Sequence, residues 1–131
     1  MREILFRGIS EVTGEWAYGY LVKTQIKGNE YFSIIPYDDL AKTLTEKRWF
    51  QVIPETIGQY TGLTDKNGKK IFEGDILYDS LFDDNGLIVF QGGGFDIEEN
   101  DLIWHCLDCD MSDFEVIGNI HDKPELLKEM G

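Results

Sequence analysis

His105, Cys106 and Cys109, in the run WHCLDCDMSD, come nearest in this sequence to a metal or redox centre. A structural zinc ion takes four ligands at tetrahedral geometry, and a C-x-x-C supplies two of them. His105 is adjacent to Cys106, so on a strand it points to the opposite face. His121 is the remaining soft ligand, and the second half of a zinc site is missing. The reading adopted is two reduced, mostly buried thiols. Asp108, Asp110, Ser112 and Asp113 begin like an EF-hand loop, but Asp113 stands where the turn glycine is needed and Asn119 where a bidentate glutamate would close the site. Glu73 and Asp75, two apart on a strand, share a face and would divide acid and base roles. Gly74 between them favours a turn in which Asp75 accepts backbone N–H groups. Gly92 to Gly94, read as a flexible link, is followed by Phe95 and Asp96, without the lysine, hydroxyl and helix start of a phosphate loop. No G-x-S-x-G or H-E-x-x-H occurs, and two histidines leave little for acid–base work at neutral pH. The expectation is no catalytic residue, no cofactor, no metal ligand and no enzyme.

Charge narrows the partners. The 131 residues carry 25 Asp/Glu against 12 Lys/Arg, a net charge of −13. Residues 1–70 hold ten basic and nine acidic side chains, residues 71–122 hold 14 carboxylates and no Lys or Arg, and residues 123–131 hold two of each. The whole imbalance therefore lies between Glu73 and Asp122, a field that repels phosphate backbones and makes direct nucleic-acid binding by this half unfavourable. A docking face for a basic partner, a nucleic-acid mimic and a divalent-cation site are the functional alternatives. The plainer reading is a solvated acidic surface, screened within a Debye length of about 8–10 Å. No apolar run approaches the roughly 20 residues that cross a bilayer, and the N-terminal MREILFRGIS lacks the apolar stretch of a secretory signal. The expectation is a cytoplasmic protein with an ordinary core, 42% of its residues being apolar.

The elements that must position these residues are mostly strands. Residues 2–9 and 15–23 read as strands around a turn at Thr13–Glu15; Trp16, Tyr18 and Tyr20 alternate with Ala17, Gly19 and Leu21, and the aromatic stripe is expected to face the core. Tyr31–Ile35 follows as a strand, stopped by Pro36. Asp38 or Asp39 caps an expected helix over Leu40–Trp49. After a break at Pro54, glycines punctuate short strands: a hairpin turn at Asp65–Gly68, a strand at Asp75–Tyr78, a second turn at Asp83–Gly86, strands at Leu87–Gln91, Phe95–Glu98 and Leu102–Leu107, and a last strand at Phe114–Ile120. Asp122, Pro124 and Glu125 start a short helix through Met130. The expected organisation is a β-rich N-terminal subdomain over 1–54, an SH3-like β-barrel over 55–122 and a helical tail over 123–131.

Five separated stretches carry a family resemblance: Ile4–Arg7, ILFR; Trp16–Gly19, WAYG; Pro54–Leu63, PETIGQYTGL, running directly into Thr64–Ile76, TDKNGKKIFEGDI; Glu115–Ile120, EVIGNI; and Pro124–Leu127, PELL. In this order they resemble the YopX family of bacteriophage and prophage proteins. The resemblance implies a mostly β protein with an SH3-like barrel in its second part, acting in a bacterial host cytoplasm, with a biochemical role that is undefined and no catalytic residues to carry over. The function expected is non-catalytic binding of a protein partner, or self-association. The alternative is nucleic-acid binding through the barrel, with Trp16 to Tyr20 and the basic Lys42, Lys47 and Arg48 supplying a patch in the first half.

Overall fold

The computed structural model describes residues 3–36, 49–99, 102–105 and 110–128. It divides after Tyr60 into two units, residues 1–60 and 61–131, and is mainly β, with two antiparallel sheets. Among the described residues no helix is long and apolar enough to cross a membrane.

In the first unit, strands β1 (Phe6–Ile9), β2 (Trp16–Ile26), β3 (Asn29–Pro36) and β4 (Phe50–Gln51) pair in the order β4-β3-β2-β1, and the start of β5 (Gly58–Thr64) pairs with β1. Two turns set the registers. Ser10 Oγ accepts the N–H groups of Val12 and Thr13, both at 3.3 Å, between β1 and β2. Lys27 and Gly28 both take positive φ, 52° and 84°, in the two-residue connection that aligns Ile26 with Asn29. That geometry matches the twist of the flanking strands. Ile34, Val52, Leu5, Ile35 and Tyr60 are buried here. Thr56 Oγ1 accepts the Ile9 N–H at 2.9 Å and donates to the Ile53 carbonyl at 2.6 Å, fixing the chain ahead of β5.

The aromatic stripe of β2 departs from expectation: Tyr18 and Tyr20 are each 44% exposed, whereas Gly19 between them is buried. A period of two tells which residues share a face, not which face is covered. The small side inward lets backbone approach closely, so that a Cβ on Gly19 would lie 1.9 Å from the Ile35 carbonyl oxygen. The expected helix over Leu40–Trp49 lies outside the described residues except for Trp49, which is in irregular backbone and exposed.

In the second unit, the end of β5 pairs with β6 (Lys70–Phe72). A five-stranded antiparallel sheet follows, made of β7 (Asp75–Asp79), β8 (Asp84–Gln91), β9 (Gly94–Glu99), β10 (Leu102–His105) and β11 (Phe114–Asn119), in the order β10-β9-β8-β7-β11. Ile71, Leu77, Ile88, Ile97, Met111 and Phe114 form its core. Among the described residues no ladder joins β10 to β11, so no closed barrel is seen. The free side of β11 is met by a turn: Val116 donates its N–H to Asp65 Oδ2 at 2.9 Å, and Lys66 donates to the Phe114 carbonyl at 3.0 Å. The helix α1 (Glu125–Lys128) is short; Asn85 Nδ2 donates to the Leu126 carbonyl at 3.0 Å, and Leu126 packs on Gly118.

Two turns differ from the sequence reading. Asn85 and Gly86 belong to β8, and the β7–β8 connection is residues 80–83, because Asp79 Oδ1 accepts the Leu81 and Phe82 N–H groups and Asp83 takes φ 50°. Gly92 and Gly93 both have positive φ, 59° and 82°, and close a tight hairpin from Gln91 to Gly94 instead of a flexible link. The Asp65–Gly68 turn is as expected. Asp65 Oδ1 accepts Asn67 and Lys69 N–H groups at 2.9 Å each, and Gly68 has φ 82°.

Burial alone would raise the Asp65 pKa, but the N–H groups of Val116, Lys69 and Asn67 outweigh it and hold the carboxyl below its usual 3.8. The stability this group supplies is therefore complete above about pH 4 and is lost as pH falls through the lower folded value. Asp65→Ala, which leaves three N–H groups without their acceptor, is expected to cost about 2–3 kcal/mol at pH 7. Relative to wild type, the variant should also lose much of the steepness of acid unfolding below pH 4, as urea midpoints at pH 3 and 7 would measure.

Candidate functional site

Alternation along the second sheet collects one set of side chains on its covered face. Leu77 aligns with Gly86 and Val116, Asp79 with Asp84 and Phe114, Ile88 with Ile97, Ile97 with Trp104 and Glu99 with Leu102. Directly opposed residues share a face, and so do residues two apart. The apolar core thus continues into a polar end where Asp79, Asp84, Glu99 and Trp104 meet. Gly86 makes the room: a Cβ there would lie 2.5 Å from Ile97 Cγ2 and 3.0 Å from Glu99 Cγ.

Glu99 is 3% exposed, and neither of its carboxyl oxygens, nor the buried Trp104 Nε1, closes a well-formed hydrogen bond among the described residues. Burial pushes the Glu99 carboxyl up to about 7, reinforced by the neighbouring Asp79 carboxyl and the charge of Asp84 and partly offset by the Trp104 indole. A carboxyl held neutral in this way can donate its proton to Asp79.

Asp79 is also the floor of a turn. Its Oδ1 fixes the Leu81 and Phe82 N–H groups at 3.0 and 3.4 Å, and both apolar side chains remain exposed, at 69% and 51%. Ser80 donates its N–H and hydroxyl to the Asp113 carbonyl, at 3.0 and 3.1 Å, joining this turn to the 3-10 turn Met111–Asp113. Asp110 caps that turn by accepting the Ser112 N–H at 3.0 Å, a bond that lowers its pKa. Between the two turns is a cavity of about 210 Å³ lined by Asp79, Leu81, Phe82, Trp104, Asp110, Asp113 and Phe114. Phe82 stacks on Trp104 with centroids 5.6 Å apart.

The residues singled out by the sequence are placed differently. His105 lies on the opposite face from Trp104, where its Nδ1 is 2.7 Å from Asp96 Oδ1. Gln91 Nε2 donates to Asp96 Oδ2 at 3.0 Å, and these two contacts, Gln91 first, lower the Asp96 pKa. Cys106, Asp108 and Cys109 lie outside the described residues, as do Lys42, Lys47 and Arg48. Among the described residues no group of three His, Cys, Asp or Glu is disposed to hold a metal. Asp75 is buried and its Oδ2 accepts the Phe72 N–H at 2.7 Å, the turn-capping role that the Gly74 context favours. In the first unit Trp16 receives the Arg7 guanidinium at 4.6 Å.

Asp79, Glu99 and Trp104 were not distinguished by sequence motifs. Their signal was present in the alternation of Leu77 with Asp79, and of Phe95 and Ile97 with Glu99, which carries a carboxyl onto the same face as the core. It is obscured by the 12 other carboxylates between Glu73 and Asp122.

Fold and site together define an all-antiparallel β protein whose second unit presents an acid-lined aromatic cavity. The chain belongs to the YopX family: the family model, described as YopX protein, matches residues 5–128. Among solved structures it is similar to the crystal structure of protein EF1440 from Enterococcus faecalis, at 29% identity over 97% of this chain and 99% of that chain, with a TM-score of 0.53. None of the curated proteins matches the sequence.

Proposed function

We propose that the protein works by non-covalent binding of another protein, which it holds at the cavity of the second unit, in the cytoplasm of a bacterium that carries the encoding phage or prophage. The observation that carries this reading is the pair Leu81 and Phe82, exposed apolar side chains on a turn whose backbone Asp79 holds at the mouth of a cavity. Rigid exposed apolar groups beside a recess are the usual anchors of recognition. A volume of about 210 Å³ is below the roughly 300–1,000 Å³ of sites for drug-sized ligands and suits one side chain of a larger partner. Glu99, its carboxyl pushed up to about 7, has the electrostatics of a general acid. Glu99, however, stands behind Asp79 and Trp104 and does not line the cavity, which favours binding over catalysis. Five antiparallel strands with a 3-10 turn before the last also support the reading of this unit as an SH3-like module, and the acidic field disfavours a phosphate-bearing partner.

Crosslinked capture from host bacteria tests the reading by comparing wild type with Phe82→Asp. A protein recovered by the wild type and reduced about tenfold or more by the variant is the expected result. Recovery of nothing above background, or equal recovery by both, contradicts it. Light scattering then tells whether the partner is a second copy of this chain.

A further inference from the structure

The cavity walls specify more than an apolar anchor. Phe82 and Trp104 form a stacked aromatic pair, and three acidic residues, Asp79, Asp110 and Asp113, are among the other lining residues. Residues 71–122 contain no Lys or Arg to neutralise them. A wholly apolar side chain would bury against uncompensated acid groups. A divalent ion needs convergent oxygens, and no such group of three is found among the described residues. What answers both wall types is a cation with a flat, weakly hydrated face, and arginine's guanidinium stacks on aromatic rings while forking hydrogen bonds to carboxylates.

Building on the binding role proposed above, we infer that the cavity takes the side chain of an arginine presented by a basic segment of the partner, its guanidinium against the Phe82–Trp104 pair and its charge answered by Asp79, Asp110 and Asp113. Arginine is favoured over lysine because the compact, strongly hydrated ammonium gives up more solvation to enter an aromatic wall.

The test uses the full chain labelled with ¹⁵N and three capped tripeptides, acetyl-Gly-Xaa-Gly-amide with Xaa arginine, citrulline or leucine, at low salt. The readouts are the Trp104 indole N–H, assigned through Trp104→Phe, and the Leu81 and Phe82 amides. The arginine peptide is expected to shift these signals saturably, and at least about tenfold more tightly than citrulline, which keeps the shape and hydrogen-bonding edge but not the charge. The double variant Asp110→Asn, Asp113→Asn, which retains a side-chain oxygen for the Ser112 N–H, should lose that preference while its spectrum stays dispersed. Equal binding of arginine and citrulline, or preference for leucine, overturns the inference and leaves the cavity as a binding site. No shift with any peptide also overturns it. The capture comparison of wild type with Phe82→Asp judges the binding role separately.

Discussion

Glu99→Gln is expected to stabilise the fold by roughly 3 kcal/mol at pH 8 and to change it little at pH 4. The folded chain keeps a proton on Glu99 up to about 7, while the unfolded chain gives it up near the ordinary 4.5. Between these values the folded state binds more protons, so stability falls as pH rises. The loss is complete above about 7, and at ~1.4 kcal/mol per pH unit it amounts to the quoted figure. Glutamine reproduces the neutral carboxyl: its amide can donate toward Asp79, and its oxygen can accept from Trp104. Urea midpoints of wild type and variant across pH 4 to 8 measure the effect. Parallel curves would show that Glu99 ionises normally and that its burial is not what sets the local chemistry.

Gly19→Ala is expected to unfold the first unit or destabilise it by more than about 4 kcal/mol. The added methyl would stand 1.9 Å from the Ile35 carbonyl oxygen, 2.7 Å from its carbon and 2.9 Å from Pro36 Cα. All three are backbone atoms, so no side chain can swing aside, and relief requires breaking the β2–β3 register in which Gly19 faces Pro36. Gly8→Ala is the control of intermediate effect, since its nearest obstacles are the Val52 side-chain atoms at 3.0–3.1 Å. Circular dichroism and amide exchange in β2 and β3 check both, and a Gly19→Ala protein with wild-type protection there contradicts the packing described.

Local chemistry was legible in the sequence wherever one side chain decides one turn. The Asp65–Gly68 turn and the Asp75 cap follow from acceptors two to four residues from their donors, and the β2 and β3 strands from alternation and a terminal proline. What was hidden depends on facing. Tyr18 and Tyr20 were expected inward because an alternating aromatic stripe is usually one face of a core, yet Gly19 and its neighbours give the closer backbone approach. Asn85 and Gly86 have the composition of a turn but lie in β8, where Gly86 is small because Glu99 crosses it. The cavity is assembled from residues 79–82, 104 and 110–114, separated stretches whose juxtaposition is a property of strand order, and no motif spacing encodes it. His105, prominent in the sequence as a metal candidate, points to the other face and pairs with Asp96.

Site-specific photocrosslinking tests the binding claim most directly. A benzoylphenylalanine placed at Leu81, at the cavity mouth and 69% exposed, should form a discrete adduct in host bacteria, while the same group at Val12, which is 90% exposed in the first unit, should form none. The Leu81 adduct should disappear when Phe82→Asp is added. Adducts of equal yield from both positions, or an adduct from Val12 alone, would contradict the assignment of partner binding to this cavity.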